Sequence, residues 1–185
     1  MINNDIESIL VSREELDKIT QDIADRISED YRGKRLLLLC ILKGSVVFMG
    51  ARMKKISIPG EIDFMKVSSY GSSTTSSGTP PILLDLHRSY ISDIDILIVE
   101  DIIDSGHTLS YLTTYLKNKG AKSVRIATVL DKPDRRDPSI NLTPDYCGRV
   151  IPDKFVVGYG LDYDEKYRAL PYIGVLSPKV YQNKN

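Results

Sequence analysis

Glu100, Asp101 and Asp104 stand immediately before the run Ser105-Gly106-His107-Thr108. Ser105 and Thr108 bring hydroxyl donors, and Gly106 lets a backbone come close to a ligand. If a helix starts here, its first N–H groups are unpaired and point outward, so the turn becomes an anion cradle. Bare carboxylates beside a phosphate would repel it. They are tolerable where they face sugar hydroxyls or a divalent cation. The set therefore points to a site that holds a phosphate, a ribose and Mg²⁺ together. A plainer reading is an ordinary strand-to-helix turn with Asp104 or Ser105 as N-cap. Three acids followed by Ser-Gly-x-Thr after one apolar run weigh against it.

Other reactive groups also follow apolar runs. Lys43-Gly44 follows Leu36–Leu42, and Asp131-Lys132 follows Val124–Leu130. Ligands of open α/β sheets gather at the carboxyl ends of strands, which is where both lysines fall. Taken singly, Lys43 also fits a solvated helix entry, Lys132 a loop lysine, and Phe155 plain core.

The stretch Val99 to Leu109 resembles the phosphoribosyl-pyrophosphate (PRPP) signature of the purine phosphoribosyltransferases, in the form found in the hypoxanthine-guanine enzymes. Three further segments match that family in order: Leu42-Lys43-Gly44, the strand end at Lys132, and Ile151 to Arg168. The resemblance implies the type I phosphoribosyltransferase fold, an α/β architecture with a mostly parallel central sheet flanked by helices, a small hood and a mobile lid loop. It implies Mg²⁺-dependent transfer of phosphoribose from PRPP to N9 of hypoxanthine or guanine, giving IMP or GMP and pyrophosphate. In that picture Lys43 and Gly44, with a cis peptide before Lys43, bind pyrophosphate. Ser69 and Tyr70 close over it from the lid, and Arg168 contacts it. Ser105, Gly106, His107 and Thr108 cradle the phosphate, His107 by its backbone alone. Glu100 and Asp101 hold the ribose, directly or through metal, and Asp162 binds Mg²⁺ with pyrophosphate and also belongs to the purine site. Lys132 donates to the 6-oxo group of the purine, Phe155 stacks on its face, and the Val156 backbone pairs with its edge. Asp104 is the candidate general base. The family forms homodimers or homotetramers.

These groups need elements to position them. Ile96–Val99 and Leu36–Leu42 read as buried strands, Val124–Leu130 as a third and Ile62–Val67 as a half-buried fourth. Leu109–Lys119 reads as a helix, with Gly120 past its end. Ser12 to Glu15 has the form of a capping box that opens a helix on Leu16, Ile19, Ile23 and Ile27. Residues 1–11 carry little signal. The small, polar, low-complexity segment at about 68–79 reads as a lid, because long loops inside compact domains are often active-site covers. Ile82–Leu86 reads as a strand and Leu170–Leu176 as a final one. Arg135 to Gly148 reads as a loop open to a partner. The hood would come from the N-terminal and C-terminal segments, within a single domain over 1–185.

Composition narrows the function classes. Lys+Arg and Asp+Glu are 25 each, so the net charge is zero. A wholesale nucleic-acid binder would carry a basic excess. A regulator that binds RNA and uses PRPP only as effector would need a basic face, which disfavours that alternative. No apolar stretch reaches bilayer length, and nothing suggests a disulfide framework around Cys40 and Cys147. The expected setting is cytoplasmic, with no membrane partner. Among purine enzymes, a lysine at position 132 disfavours adenine but leaves xanthine open.

Overall fold

The computed structural model describes residues 4–68 and 80–182. Its elements in chain order are β1 (Ile6–Val11), α1 (Arg13–Asp30), β2 (Leu36–Ile41), α2 (Val46–Met53), β3 (Glu61–Val67), β4 (Ile82–Leu84), β5 (Asp95–Ile103), α3 (His107–Asn118), β6 (Ser123–Asp131), β7 (Tyr146–Val150), β8 (Val156–Val157), β9 (Ile173–Leu176) and α4 (Pro178–Gln182). A single 3₁₀ turn spans Pro133–Arg135.

A six-stranded sheet runs β4-β3-β2-β5-β6-β7. Its β3-β2-β5-β6-β7 pairings are parallel, and only the edge strand β4 is antiparallel. Every residue of β2 is buried, as expected when helices cover both faces of a parallel sheet. The period-2 alternation sorts the two faces. Leu36, Leu38, Cys40, Leu97 and Val99 face α1 and α2, where Leu16, Ile23, Ile27, Phe48 and Met49 complete one core. Leu37, Leu39, Ile96 and Ile98 meet Leu109, Leu112 and Leu116 of α3 on the other side. The capping box at Ser12 is formed, with Glu15 N–H donating to Ser12 Oγ at 3.2 Å and Ser12 N–H to Glu15 Oε2 at 2.8 Å.

A second, three-stranded antiparallel sheet, β1-β9-β8, joins the two ends of the chain. It packs over a small cluster of Ile6, Val157 and Leu176.

Four elements depart from the sequence reading. First, β1 lies in the stretch that carried little signal. Its ladder with β9 shifts register twice, and such irregularities erase the alternation by which a strand is recognised. Second, β5 does not stop at the acids but continues through Glu100 and Asp101 to Ile103. Third, α3 begins at His107, with Gly106 rather than Asp104 or Ser105 at its N-cap. Fourth, the expected loop Arg135 to Gly148 ends in the edge strand β7, which contains Cys147 and Gly148. A Cβ at Gly148 would lie 2.5 Å from Ile19 Cγ2 and 2.6 Å from the Val129 carbonyl oxygen, so only glycine lets this strand pack so close. No described helix is long and apolar enough to cross a membrane.

Candidate active site

The parallel strands β2, β5 and β6 end together, and the groups singled out by type and spacing collect at that edge. Two cavities open there. One, of about 270 Å³, is lined by Glu100, Asp104, Ser105, Gly106 and Thr108, with Leu42 across from them. The other, of about 460 Å³, is lined by Lys132, Phe155, Val156, Leu161, Asp162 and Tyr181. Ile102 and Asp104 line both. Asp104 therefore stands at the junction of an anion cradle and a partly aromatic pocket.

The cradle is built by Gly106, whose φ of +87° a side chain would resist and which leaves the first N–H groups of α3 without intrahelical partners. The loop after β6 holds this turn from outside. Arg136 Nη1 donates to the Asp104 carbonyl at 3.1 Å, and Asp137 N–H donates to the Ser105 carbonyl at 3.1 Å. His107 Nε2 lies 2.9 Å from Asp137 Oδ2, so its ring turns toward that loop. Arg136 is in turn paired with Asp131. Arg135 Nε stands 3.4 Å from Asp104 Oδ1. The start of the segment expected to be open to a partner thus braces the site. The arginines were not singled out because their role depends on the chain folding back after β6.

The acid pair sits deeper. Asp101 Oδ1 accepts from Ile102 N–H at 2.8 Å, and Glu100 Oε2 is enclosed without a hydrogen-bond partner. Burial, and then the charge of Asp101, push the Glu100 carboxyl well above its ordinary value. Burial also raises Asp101, against the lowering effect of its hydrogen bonds. Two crowded carboxyls that resist ionisation are a good match for a divalent cation, which would supply the missing positive charge. Among the described residues no group of three or more His, Cys, Asp or Glu is placed to hold a metal. Glu100 and Asp101 are neighbours on β5, and Asp162 stands on the loop after β8, where it pairs with Arg168.

Gly44 lies hard against this pair, since a Cβ there would fall 1.7 Å from Asp101 Oδ2. The peptide between Leu42 and Lys43 is cis, as the resemblance implied. Lys43 Nζ reaches across to Glu165 Oε1 at 2.9 Å. Arg168 Nη2 pairs with Asp162 Oδ1 at 2.9 Å and lies 3.4 Å from Glu165 Oε2. Asp162 Oδ2 accepts from Glu165 N–H at 2.9 Å. Glu165, which sequence reasoning passed over, thus joins both cations expected to meet pyrophosphate. Ser69 and Tyr70 lie outside the described residues, as does the rest of the expected lid beyond Ser68.

In the second cavity Lys132 is only 7% exposed, although it is a lysine, while Phe155 is 41% exposed, although it is a phenylalanine. That inversion of ordinary burial marks a pocket with a cation at its base and a flat apolar wall at its mouth. Lys132 N–H donates to the Ile103 carbonyl at 2.9 Å, which ties the lysine to the end of β5.

Comparison with known proteins places this geometry. The family model for the phosphoribosyl transferase domain matches residues 6–164. The chain belongs to the phosphoribosyltransferase family. The hypoxanthine-guanine phosphoribosyltransferase of Bacillus subtilis is 49% identical over 183 residues, covering 99% of this chain and 100% of that protein. A crystal structure of a hypoxanthine phosphoribosyltransferase from Staphylococcus aureus superposes with a TM-score of 0.90 at 45% identity, covering 97% of this chain and 96% of the other. The chain is also 48% identical over 180 residues to a bifunctional protein TilS/HprT of Listeria innocua. It covers 97% of itself in that match but only 27% of the longer relative. The six-stranded sheet, its flanking helices and the small second sheet are thus the type I phosphoribosyltransferase fold.

Proposed function

We propose that this phosphoribosyltransferase works in purine salvage, moving the phosphoribosyl group of PRPP to N9 of hypoxanthine or guanine and releasing pyrophosphate with IMP or GMP. The observation that carries the reading is the meeting of the two cavities at Asp104. One offers helix N–H groups and hydroxyls to a phosphate. The other offers Lys132 and the Phe155 ring to an oxopurine. The names of the Bacillus subtilis and Staphylococcus aureus relatives support the same substrates.

Each residue then has a physical task. Ser105, Gly106, His107 and Thr108 hold the 5′-phosphate, His107 by its backbone. Glu100 and Asp101 face the ribose, and once a bound cation draws them into the carboxylate form they can hold its hydroxyls and favour the positive charge that develops at the anomeric carbon. Mg²⁺ held by this acid pair, and a second ion at Asp162, would neutralise charge on the departing pyrophosphate. Lys43, Gly44 and Arg168, with Ser69 and Tyr70, hold that leaving group. Lys132 donates to the 6-oxo oxygen. An ammonium has no acceptor for the amino group of adenine, so adenine is rejected. Phe155 stacks on the base and the Val156 backbone pairs with its edge. Asp104 takes the N7 proton as N9 attacks.

Balanced charge over the chain agrees with a small-molecule enzyme rather than a nucleic-acid binder. The proposed setting is the cytoplasm, and the proposed assembly is a homodimer or homotetramer, to be read by light scattering. The deciding experiment is a base panel with purified protein, Mg²⁺ and PRPP. Hypoxanthine and guanine should be converted and adenine should not. Conversion of xanthine alone would reassign the base, and turnover of adenine would remove Lys132 from its role.

A further inference from the structure

Tyr181 stands on α4, a five-residue helix with no fully buried residue of its own. Val180 and Tyr181 nevertheless pack against the Ile6, Val157 and Leu176 cluster under the second sheet. The Tyr181 ring lies stacked against Phe155, with centroids 5.2 Å apart and planes 27° from parallel. Tyr163 meets both rings edge-on, at 5.6 Å from Phe155 and 6.4 Å from Tyr181. Tyr181 also lines the cavity that Lys132 and Val156 share.

Phe155 has little else to hold its plane. It follows the loop after β7, precedes the two-residue strand β8, and is 41% exposed. A ring free to rotate must be ordered before a base can stack on it, and that ordering subtracts from the affinity. A supporting side chain that locks the rotamer removes the cost. Flat support on one face, with an edge contact from Tyr163, leaves the other face for a ligand.

We propose that Tyr181 is a positioning residue for the purine. It backs Phe155, sets the plane on which the base stacks, and makes the C-terminal helix part of the base site. This inference rests on the reading of the cavity as a purine pocket. It predicts that a flat ring is needed at position 181, and that apolar bulk alone does not suffice.

The test compares Tyr181→Phe, Tyr181→Leu and Tyr181→Ala in steady-state kinetics, varying the base and PRPP separately, with melting curves for each protein. Tyr181→Phe should keep the KM for hypoxanthine near wild type. Tyr181→Leu and Tyr181→Ala should raise it by about 2–10-fold, the value of one aromatic pair, and leave the KM for PRPP and kcat close to wild type. Leucine is the discriminating variant, because it fills the gap and keeps α4 docked. Wild-type behaviour of Tyr181→Leu would overturn the proposal, and so would equal rises in both KM values. A lowered KM for the base in Tyr181→Ala would also overturn it, by showing that Tyr181 stands in the way of the base. If wild-type protein turned over neither hypoxanthine nor guanine, the purine pocket itself would fall, and this inference with it.

Discussion

Alanine at Gly160 should damage both stability and PRPP use, because this glycine sits where the loop after β8 presses on the turn after β2 that carries Lys43 and Gly44. Its φ is +101°, and an added Cβ would lie 2.0 Å from the Gly44 carbonyl oxygen and 3.0 Å from its carbon. The first feature alone costs a side chain roughly 1–2 kcal/mol. The second is a collision with backbone, which no rotamer change relieves, and overpacking of this kind costs about 1–3 kcal/mol. Together they amount to about 2–5 kcal/mol, or a fall in Tm of roughly 4–20 °C for a domain of this size. The functional loss follows from position. Gly160 N–H donates to the Arg168 carbonyl at 3.0 Å, and Arg168 Nη1 donates to the Gly160 carbonyl at 2.8 Å. Pushing Gly44 away therefore separates Lys43 from Arg168. A misplacement near 1 Å costs on the order of 10²-fold, so kcat/KM for PRPP should fall by about that factor. Gly33→Ala is the control. Its φ is +72°, but nothing lies within 4 Å of the added Cβ. It should show the conformational cost without the collision, and kcat/KM unchanged. Scanning calorimetry and PRPP kinetics on both variants decide the matter. A Gly160→Ala protein that melts within about 2 °C of Gly33→Ala and uses PRPP normally would refute the reasoning.

Other perturbations probe neighbouring groups. Asp104→Asn should lower kcat by about 10²–10⁴-fold with little change in PRPP affinity, as measured by calorimetry; equal losses in both would remove Asp104 from the base role. Glu165→Gln releases Lys43 and Arg168 from a carboxylate that would compete with pyrophosphate for them in the proposed site, so Mg²⁺-pyrophosphate should bind about 2–5-fold tighter in titration calorimetry. Weaker binding would show that Glu165 assists the anion instead. Glu61 is held down to about 2, from an ordinary 4.5, first by its hydrogen bond from Arg35 and then by Arg88. A depressed carboxyl stabilises the fold above its unfolded value and loses that contribution as pH falls from about 4.5 toward 2. Urea melts at pH 6 and pH 3 should therefore differ less for Glu61→Gln than for wild type, and the difference should shrink in high salt, since the pair is partly exposed.

Most of the chemistry was legible in the chain because it is local. The acids, the Ser-Gly-x-Thr turn and the helix behind them are adjacent in sequence, so their types and spacing already imply an anion cradle beside carboxylates. The buried strands were legible for a similar reason. Leu36–Ile41 is apolar at every position, and a strand covered on both faces must be. β1 was not, since its two register shifts break the alternation. Nor was β7, whose Gly148 carries no strand preference and is explained only by Ile19 and Val129 pressing on it.

What the sequence determined by itself is the family and the candidate reactive groups, because each motif is short and is read along the backbone. What the tertiary structure alone decided is which groups meet. Asp104 faces Arg135, Glu165 spans Lys43 and Arg168, Tyr181 backs Phe155, and Asp162 pairs with Arg168. Those partners are far apart along the chain or sit on irregular loops. Their distances follow from the order of strands in the sheet and from glycines that permit close backbone approach, and no local pattern of side chains encodes either.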